Sequence, residues 1–379
     1  MYDVSTQIIT QLCIFLFLYI IFAALSLSYF GKNTRYNNIS EREKSLSNTL
    51  FFLLLIMCII CNDNSDYYSY RNWFIHTYGE TAETDEWIEP IYYWIRAVIP
   101  SSFLIFKAVI WGTGIFVFRK ICKKVGINQL LSYILFGVFY ISAYSYARAS
   151  LGIMITSYAF VSFINKDSKT KFHYIKIVLL CILAMYLHKS TFSLMLILAV
   201  SLFLRFNKKT LIVLAILFIP LSGILNSSLG SLGEIAGLSE MQSERYFNTE
   251  SDVIIKRGSE IRLYYPILIL LLISLFKLYK HQSLLPRHIE RIATATIMIL
   301  YVATLLSTLT IAFAETIALR FYLMAFVLGL ICCTYAIQEF RVNKKIIIFL
   351  IIYNVLFKLY AMALIIHYGA KGLLERYYN

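Results

Sequence analysis

Apolar residues run along this chain in long stretches, broken at near-regular intervals by short clusters of lysine and arginine. A helix that crosses a bilayer needs about 20 mostly apolar residues, and about twelve stretches meet or approach that length. They cover 7–30, 47–62, 100–118, 127–147, 149–164, 172–187, 191–204, 210–225, 263–276, 292–311, 318–336 and 346–366. Several are short and abut each other, notably at Arg148 and His188, so their helices must make tight hairpins or stop below the membrane surface. The pattern predicts an all-α integral membrane protein with about twelve transmembrane helices, in one polytopic domain over residues 1–379. The first stretch is too long for a removable signal peptide and lacks its small-residue cleavage site.

Charge orients the array. Alternate connections are basic: 31–46, 119–126, 165–171, 205–209, 277–291 and 337–345 hold 21 of the 35 lysines and arginines and only five of the 21 acidic residues. Lysine and arginine are enriched in cytoplasmic loops, so both termini and two longer connections, 63–99 and 226–262, are expected outside. The net charge of +14 then follows from orientation, and nucleic-acid binding need not be invoked. Composition agrees with the class: 59% hydrophobic and 15% charged, against about 45–50% and 25% in soluble domains. The seven cysteines show no disulfide framework, and the Cys58–Cys61 pair, at the end of an apolar stretch with no second pair, reads as packing.

Within a membrane domain, an ionisable residue near a helix end is a candidate for function. On the expected outer side these are Asp63, Asp66, Arg71, Glu89, Arg96, Arg148, His188, Lys189, Arg245, Lys256, Arg257, Arg262, Glu315 and Arg320. Arg148 and Arg320 ask most for a reason, because they look tucked into turns on the side where basic residues are disfavoured. A planar, permanently charged guanidinium pairs with phosphate oxygens, and a lipid-linked pyrophosphate fits that demand. With carboxylates and a histidine nearby, group transfer from such a donor is the reading; snorkelling to lipid headgroups is the alternative. Lys107 and Lys358, inside apolar stretches, either line the same cavity or snorkel. The aromatics of 63–99 suggest an interfacial amphipathic helix, serving as a membrane belt or as a platform for sugar rings. Asp63 and Asp66 alone are an incomplete set for a divalent cation.

Five short elements, in order and with intervening apolar stretches, resemble the EpsG-like branch of the Wzy polysaccharide polymerases. Asp66-Tyr67-Tyr68-Ser69-Tyr70 resembles its D-Y-x-x-Y element, and Glu89-Pro90-Ile91-Tyr92 its E-P-aromatic element. Arg148 before Leu151-Gly152-Ile153 stands where the family has an arginine opening a helix, with Ala149 in place of its usual glutamine. His188-Lys189-Ser190 resembles F-H-x-S with Leu187 for the aromatic, and Arg320-Phe321-Tyr322 its late R-aromatic-Y. The resemblance implies a GT-C-like helical glycosyltransferase related in architecture to O-antigen ligases. Such enzymes join oligosaccharide repeats carried on undecaprenyl pyrophosphate at the outer face of the bacterial inner membrane, without metal or cofactor.

Lipid-linked oligosaccharides would then be donor and acceptor, membrane lipids the surroundings, and a chain-length regulator a further candidate partner. Pyrophosphate already leaves well, so the protein must stabilise its charge and activate a hydroxyl. Arg148 and Arg320 are expected as clamps, with Lys189 and Arg71 as helpers and Tyr70 and Tyr322 at the substrate. Asp66 or His188 is the expected general base, His188 having the stronger case because the unperturbed pKa of histidine lies near neutrality, and Glu89 is expected to position a sugar hydroxyl. A flippase or other transporter, and a ligase-like glycosyltransferase, remain alternatives.

Overall fold

The computed structural model describes residues 4–31, 41–62, 71, 73–74, 89–99, 102–146, 149–165, 170–235, 264–308 and 312–378. Among them every regular element is helical. Helices α1 (Val4–Gly31) and α2 (Glu41–Ile60) are followed by the short α3 (Pro90–Val98). Next, α4 (Phe103–Lys107) runs through a π-helical turn π1 (Ala108–Gly112) into α5 (Thr113–Val125). In the same way α6 (Gln129–Leu135) runs through π2 (Phe136–Tyr140) into α7 (Ile141–Tyr146). Then come α8 (Ala149–Ile164), α9 (Lys171–Leu187), α10 (Thr191–Ser201), α11 (Lys208–Ile235), α12 (Tyr265–Lys280), α13 (Arg287–Ser307), α14 (Ala312–Phe340) and α15 (Lys344–Tyr378).

Four of the described segments are long and apolar enough to cross a membrane: Ile9–Phe30, Glu43–Ile60, Arg287–Ser307 and Ala318–Phe340. Shorter apolar helices lie at Gln129–Tyr144, Ala149–Ile164 and Thr191–Ser201. Three expected boundaries are corrected. Helix α11 reaches Ile235, well into the connection expected at 226–262, and α15 reaches Tyr378 rather than ending near 366. Helix α14 begins at Ala312, which leaves Arg320 more than two turns inside a helix instead of at its end. Hydropathy marks the apolar stretch, whereas a helix satisfies its own backbone hydrogen bonds and is free to continue past that stretch. In α14 the added turn holds the good helix formers Ala312, Ala314 and Glu315, whereas α11 continues through Asn226, Gly230 and Gly233, which intrinsic propensity does not favour.

The described parts of the basic turns from Arg119 onward gather at one end of the bundle. There Asn165 Nδ2 donates to the Lys124 carbonyl at 2.5 Å, the Asn128 N–H to Gln338 Oε1 at 3.1 Å and Arg291 Nη1 to the Leu202 and Leu204 carbonyls. His281 stacks on Phe340 at 4.4 Å, and His173 Nε2 lies 3.1 Å from the Ser162 carbonyl. Those two histidines are thus engaged in helix packing, far from the other end. Gly126 closes α5 with φ +78°, the left-handed cap that favours glycine.

Between the ends, the core is made by α13 against α14, α8 against α9 and α5, α12 against α14, and α1 against α15. The two π-turns carry its polar seams. A π-turn widens the helix and disturbs its ladder, and side chains of neighbouring helices meet carbonyls there. Trp111 O in π1 accepts from Tyr144 OH at 2.6 Å. Val138 O in π2 accepts from Tyr19 OH at 2.9 Å and from Asn354 Nδ2 at 2.6 Å. Close approach makes glycine necessary beside both seams. A Cβ on Gly137 would lie 2.3 Å from Phe22 Cζ, and one on Gly114 would lie 1.8 Å from Tyr144 OH. Overpacking of that kind typically costs about 1–3 kcal/mol. Gly114→Ala is expected to lower the melting temperature in detergent, and adding Tyr144→Phe, which deletes the clashing oxygen, to restore part of it. A double variant no more stable than Gly114→Ala would refute that contact.

Candidate active site

At the end of the bundle opposite the basic turns, sequence and backbone bring two carrier residues together. Glu89 precedes Pro90, and a residue before proline is forced into the extended region; its φ of −66° and ψ of 139° lie there. Pro90 opens α3 with its fixed φ and no N–H to lose. The Glu89 side chain makes no cap to its own helix and turns elsewhere. Helix α3 packs on α9, burying Tyr92 and Arg96 one turn apart and leaving Trp94 and Val98 outward.

Helix α9 ends where His188 leaves the helical region, at φ −166° and ψ 126°. A three-residue turn, His188-Lys189-Ser190, starts α10 at once, held by the His188 carbonyl accepting Thr191 N–H at 3.1 Å and Thr191 Oγ1–H at 2.8 Å. Helix α8 lies close against this turn: a Cβ on Gly152 would meet Thr191 Cγ2 at 2.7 Å and the Ala184 carbonyl at 3.2 Å. The result is that His188 Nε2 stands 3.6 Å from Glu89 Oε1, with side chains only 8% and 10% exposed. In so dry a setting, charge and hydrogen bonding act more strongly than in water. Ser190 closes the other side of the ring, its Oγ 2.6 Å and its N–H 3.1 Å from His188 Nδ1.

Beneath the pair lies an aromatic cluster around Phe106, whose ring is 5.7 Å from Trp73, 5.3 Å from Phe74 and 6.2 Å from Tyr92. The Arg96 guanidinium sits over Trp73 at 5.7 Å and Phe74 at 5.3 Å, inside the range of cation–π attraction. Of the aromatics expected to form a belt or a platform, Trp73 and Tyr92 are therefore core packing and Trp94 faces outward. Lys107 is also buried and donates to the Cys61 carbonyl just past α2, where the helix dipole is negative. Lys358 is buried against Ser142, with Phe15 at 5.3 Å and Tyr19 at 5.4 Å. Neither lysine snorkels: each end group is held inside the bundle.

The other candidates fall around or outside this pair. Arg320 on α14 is half-buried and has no hydrogen bond or ion pair among the described residues. Two residues on, Tyr322 OH lies 3.5 Å from Thr304 Oγ1 of α13. Lys189 is exposed and Arg71 half-buried. Asp66, Tyr70 and Arg148 lie outside the described residues. Sequence reasoning had Arg96 among the ionisable residues but gave it no part; its position seven residues after Glu89 on an amphipathic helix was the signal. Ser190 entered only as the end of a motif.

The model of the EpsG family matches residues 45–375. The chain belongs to the EpsG family. The match starts near the beginning of α2 and includes Glu89, His188 and Arg320. No curated protein and no solved structure matches the chain. Membership makes this EpsG-family chain a multi-pass membrane protein of polysaccharide biosynthesis.

Proposed function

We propose that the protein polymerises oligosaccharide repeat units carried on undecaprenyl pyrophosphate, for an O-antigen, capsule or exopolysaccharide, at the outer face of the bacterial inner membrane. The observation that carries this reading is the approach of Glu89 to His188, a proton-accepting pair opposite the basic end of an EpsG-family bundle. About twelve helices would cross the membrane, in a single GT-C-like domain over residues 1–379. The basic turns would face the cytoplasm by the usual loop bias.

The chemistry is glycosyl transfer without a nucleotide sugar. A hydroxyl of the incoming lipid-linked repeat attacks the anomeric carbon of the growing glycan, and its proton passes to the Glu89–His188 pair. The bond from that carbon to pyrophosphate breaks with its electrons on the phosphate oxygen. Arg320 and Arg148 grip the departing anion by paired hydrogen bonds, while Lys189 and Arg71 add positive charge. Tyr70 and Tyr322 line the sugar path, and Asp66 serves the acceptor. A half-buried guanidinium without a hydrogen bond or ion pair among the described residues supports the anion site, since such a charge is costly unless a partner uses it.

The test is purified protein in detergent with lipid-linked repeats as the sole substrate. A ladder of elongated glycans with release of lipid pyrophosphate is expected. Detergent leaves no sealed compartment, so a protein that only moves its substrate across a membrane yields no ladder, and that result overturns the proposal. Transfer to a lipid core or a protein instead of a fresh repeat would point to a ligase.

A further inference from the structure

The hydrogen bonds made at His188 Nδ1 bear on which member of the pair takes a proton. His188 Nδ1 accepts the Ser190 backbone N–H at 3.1 Å, and a backbone N–H can only donate. The Ser190 hydroxyl approaches the same nitrogen at 2.6 Å. Nδ1 therefore presents its lone pair, and the proton of the neutral ring sits on Nε2. That nitrogen faces Glu89 Oε1 at 3.6 Å, beyond hydrogen-bond length but within ion-pair range, so its N–H is directed at a carboxylate. Protonating Nδ1 would set two donors against each other inside a three-residue turn, and Nε2 already carries its proton.

We infer that Glu89 is the proton acceptor and His188 a positioning residue that turns the carboxylate, with Ser190 fixing the ring's tautomer; this rests on the polymerase reading above. The acceptor O–H bond breaks and its oxygen bonds to the anomeric carbon. The pyrophosphate leaves with the electrons of its own bond, and the proton moves to the Glu89 carboxylate and afterwards to water. The assignment reverses the one that titration near neutrality suggests for His188, because the local turn consumes the nitrogen a base would use. It also gives the serine of the H-x-S element a physical task. Local hydrogen bonds from serine to its chain neighbours are common at helix starts; here the one from Ser190 goes to an imidazole and controls its neighbour.

Two substitutions separate the roles. Glutamine at 188 offers an amide N–H2 near the place of Nε2, so it can still hold a carboxylate but cannot carry a proton between groups. In the detergent assay His188→Gln is expected to keep kcat within about ten-fold of wild type, while His188→Ala loses about 10²-fold, as misplacement of a reacting group does. KM for the donor should move little in either. If the imidazole were the base, both variants would fall together by about 10²–10⁴-fold. That result, with both proteins folded by melting and size exclusion, overturns the inference, as does a fully active His188→Ala.

A second measurement does not depend on turnover. Nitrogen NMR of histidine-labelled wild-type protein, with His188→Gln identifying the resonance, should show a neutral ring protonated at Nε2. A proton on Nδ1 overturns the assignment. A wild-type protein that makes no polymer removes the polymerase reading instead, and the ring spectrum still decides the tautomer.

Discussion

Glu89→Gln is expected to lower kcat for polymerisation by about 10²–10⁴-fold, the usual span for loss of a general base, with donor KM changed far less. The substitution is close to isosteric. Its amide oxygen can face His188 Nε2 as the carboxylate does now at 3.6 Å, and Pro90 still fixes the start of α3. What the amide lacks is a site that takes a proton at neutral pH. The loss should therefore fall on the chemical step and leave binding of the glycan nearly intact, which a split between kcat and KM reads directly. Glu89→Asp is the companion variant. It keeps the carboxylate but draws it back by one methylene, and a reacting group misplaced by about 1 Å typically costs about 10²-fold. Unchanged melting in detergent should accompany both. Near-normal polymer from Glu89→Gln would overturn the assignment and turn attention to Asp66.

How far the sequence foretold this arrangement differs from element to element. The abutting stretches at His188 foretold a tight turn, and α9, His188-Lys189-Ser190 and α10 form it. A hairpin on one or two polar residues leaves little conformational choice, so local pattern sufficed. The basic connections at Lys124, Arg205 and Arg291 likewise share one end of the bundle, because loop charge is set by the membrane and not by packing. The E-P element foretold an extended Glu89 ahead of a short amphipathic helix, since proline constrains both itself and its predecessor.

Other features lie beyond such reading. The approach of Glu89 to His188 joins residues 99 positions apart, and only the packing of α3 on α9 creates it. The π-turns at Ala108–Gly112 and Phe136–Tyr140 have no composition that distinguishes them from neighbouring helix. They are legible only through partners such as Tyr144, Tyr19 and Asn354. Lys107 and Lys358 showed that a charge in an apolar stretch needs an explanation, but not which. The explanation is a carbonyl past α2 for one, and a serine with two aromatic rings for the other. Ser190 matters through the nitrogen it meets, and one serine in a row of letters does not announce that.

Arg320→Lys is expected to lower kcat by about 10²–10³-fold, the loss seen when one charge-stabilising donor is removed from a transition state. Arg320 is half-buried, more than two turns into α14, with no hydrogen bond or ion pair among the described residues. A guanidinium so placed loses part of its hydration with no partner among the described residues, which is costly for stability unless a ligand engages it. Anchoring the fold at lipid headgroups would not demand arginine, because lysine snorkels equally well. Gripping a pyrophosphate would. The planar fork forms two parallel bonds to phosphate oxygens, and lysine supplies the charge as a single point. As the bond to the sugar lengthens, negative charge grows on those oxygens, so the fork's advantage is greatest in the transition state. The loss should therefore appear in kcat with a smaller change in donor affinity, measured on purified lipid-linked repeats. Lys189→Met, at an exposed position in the turn beside His188, should cost less than ten-fold, since a solvated charge contributes about 0–1 kcal/mol. Normal turnover by Arg320→Lys in a folded protein would show that charge alone suffices at this position, and the clamp would have to be sought elsewhere.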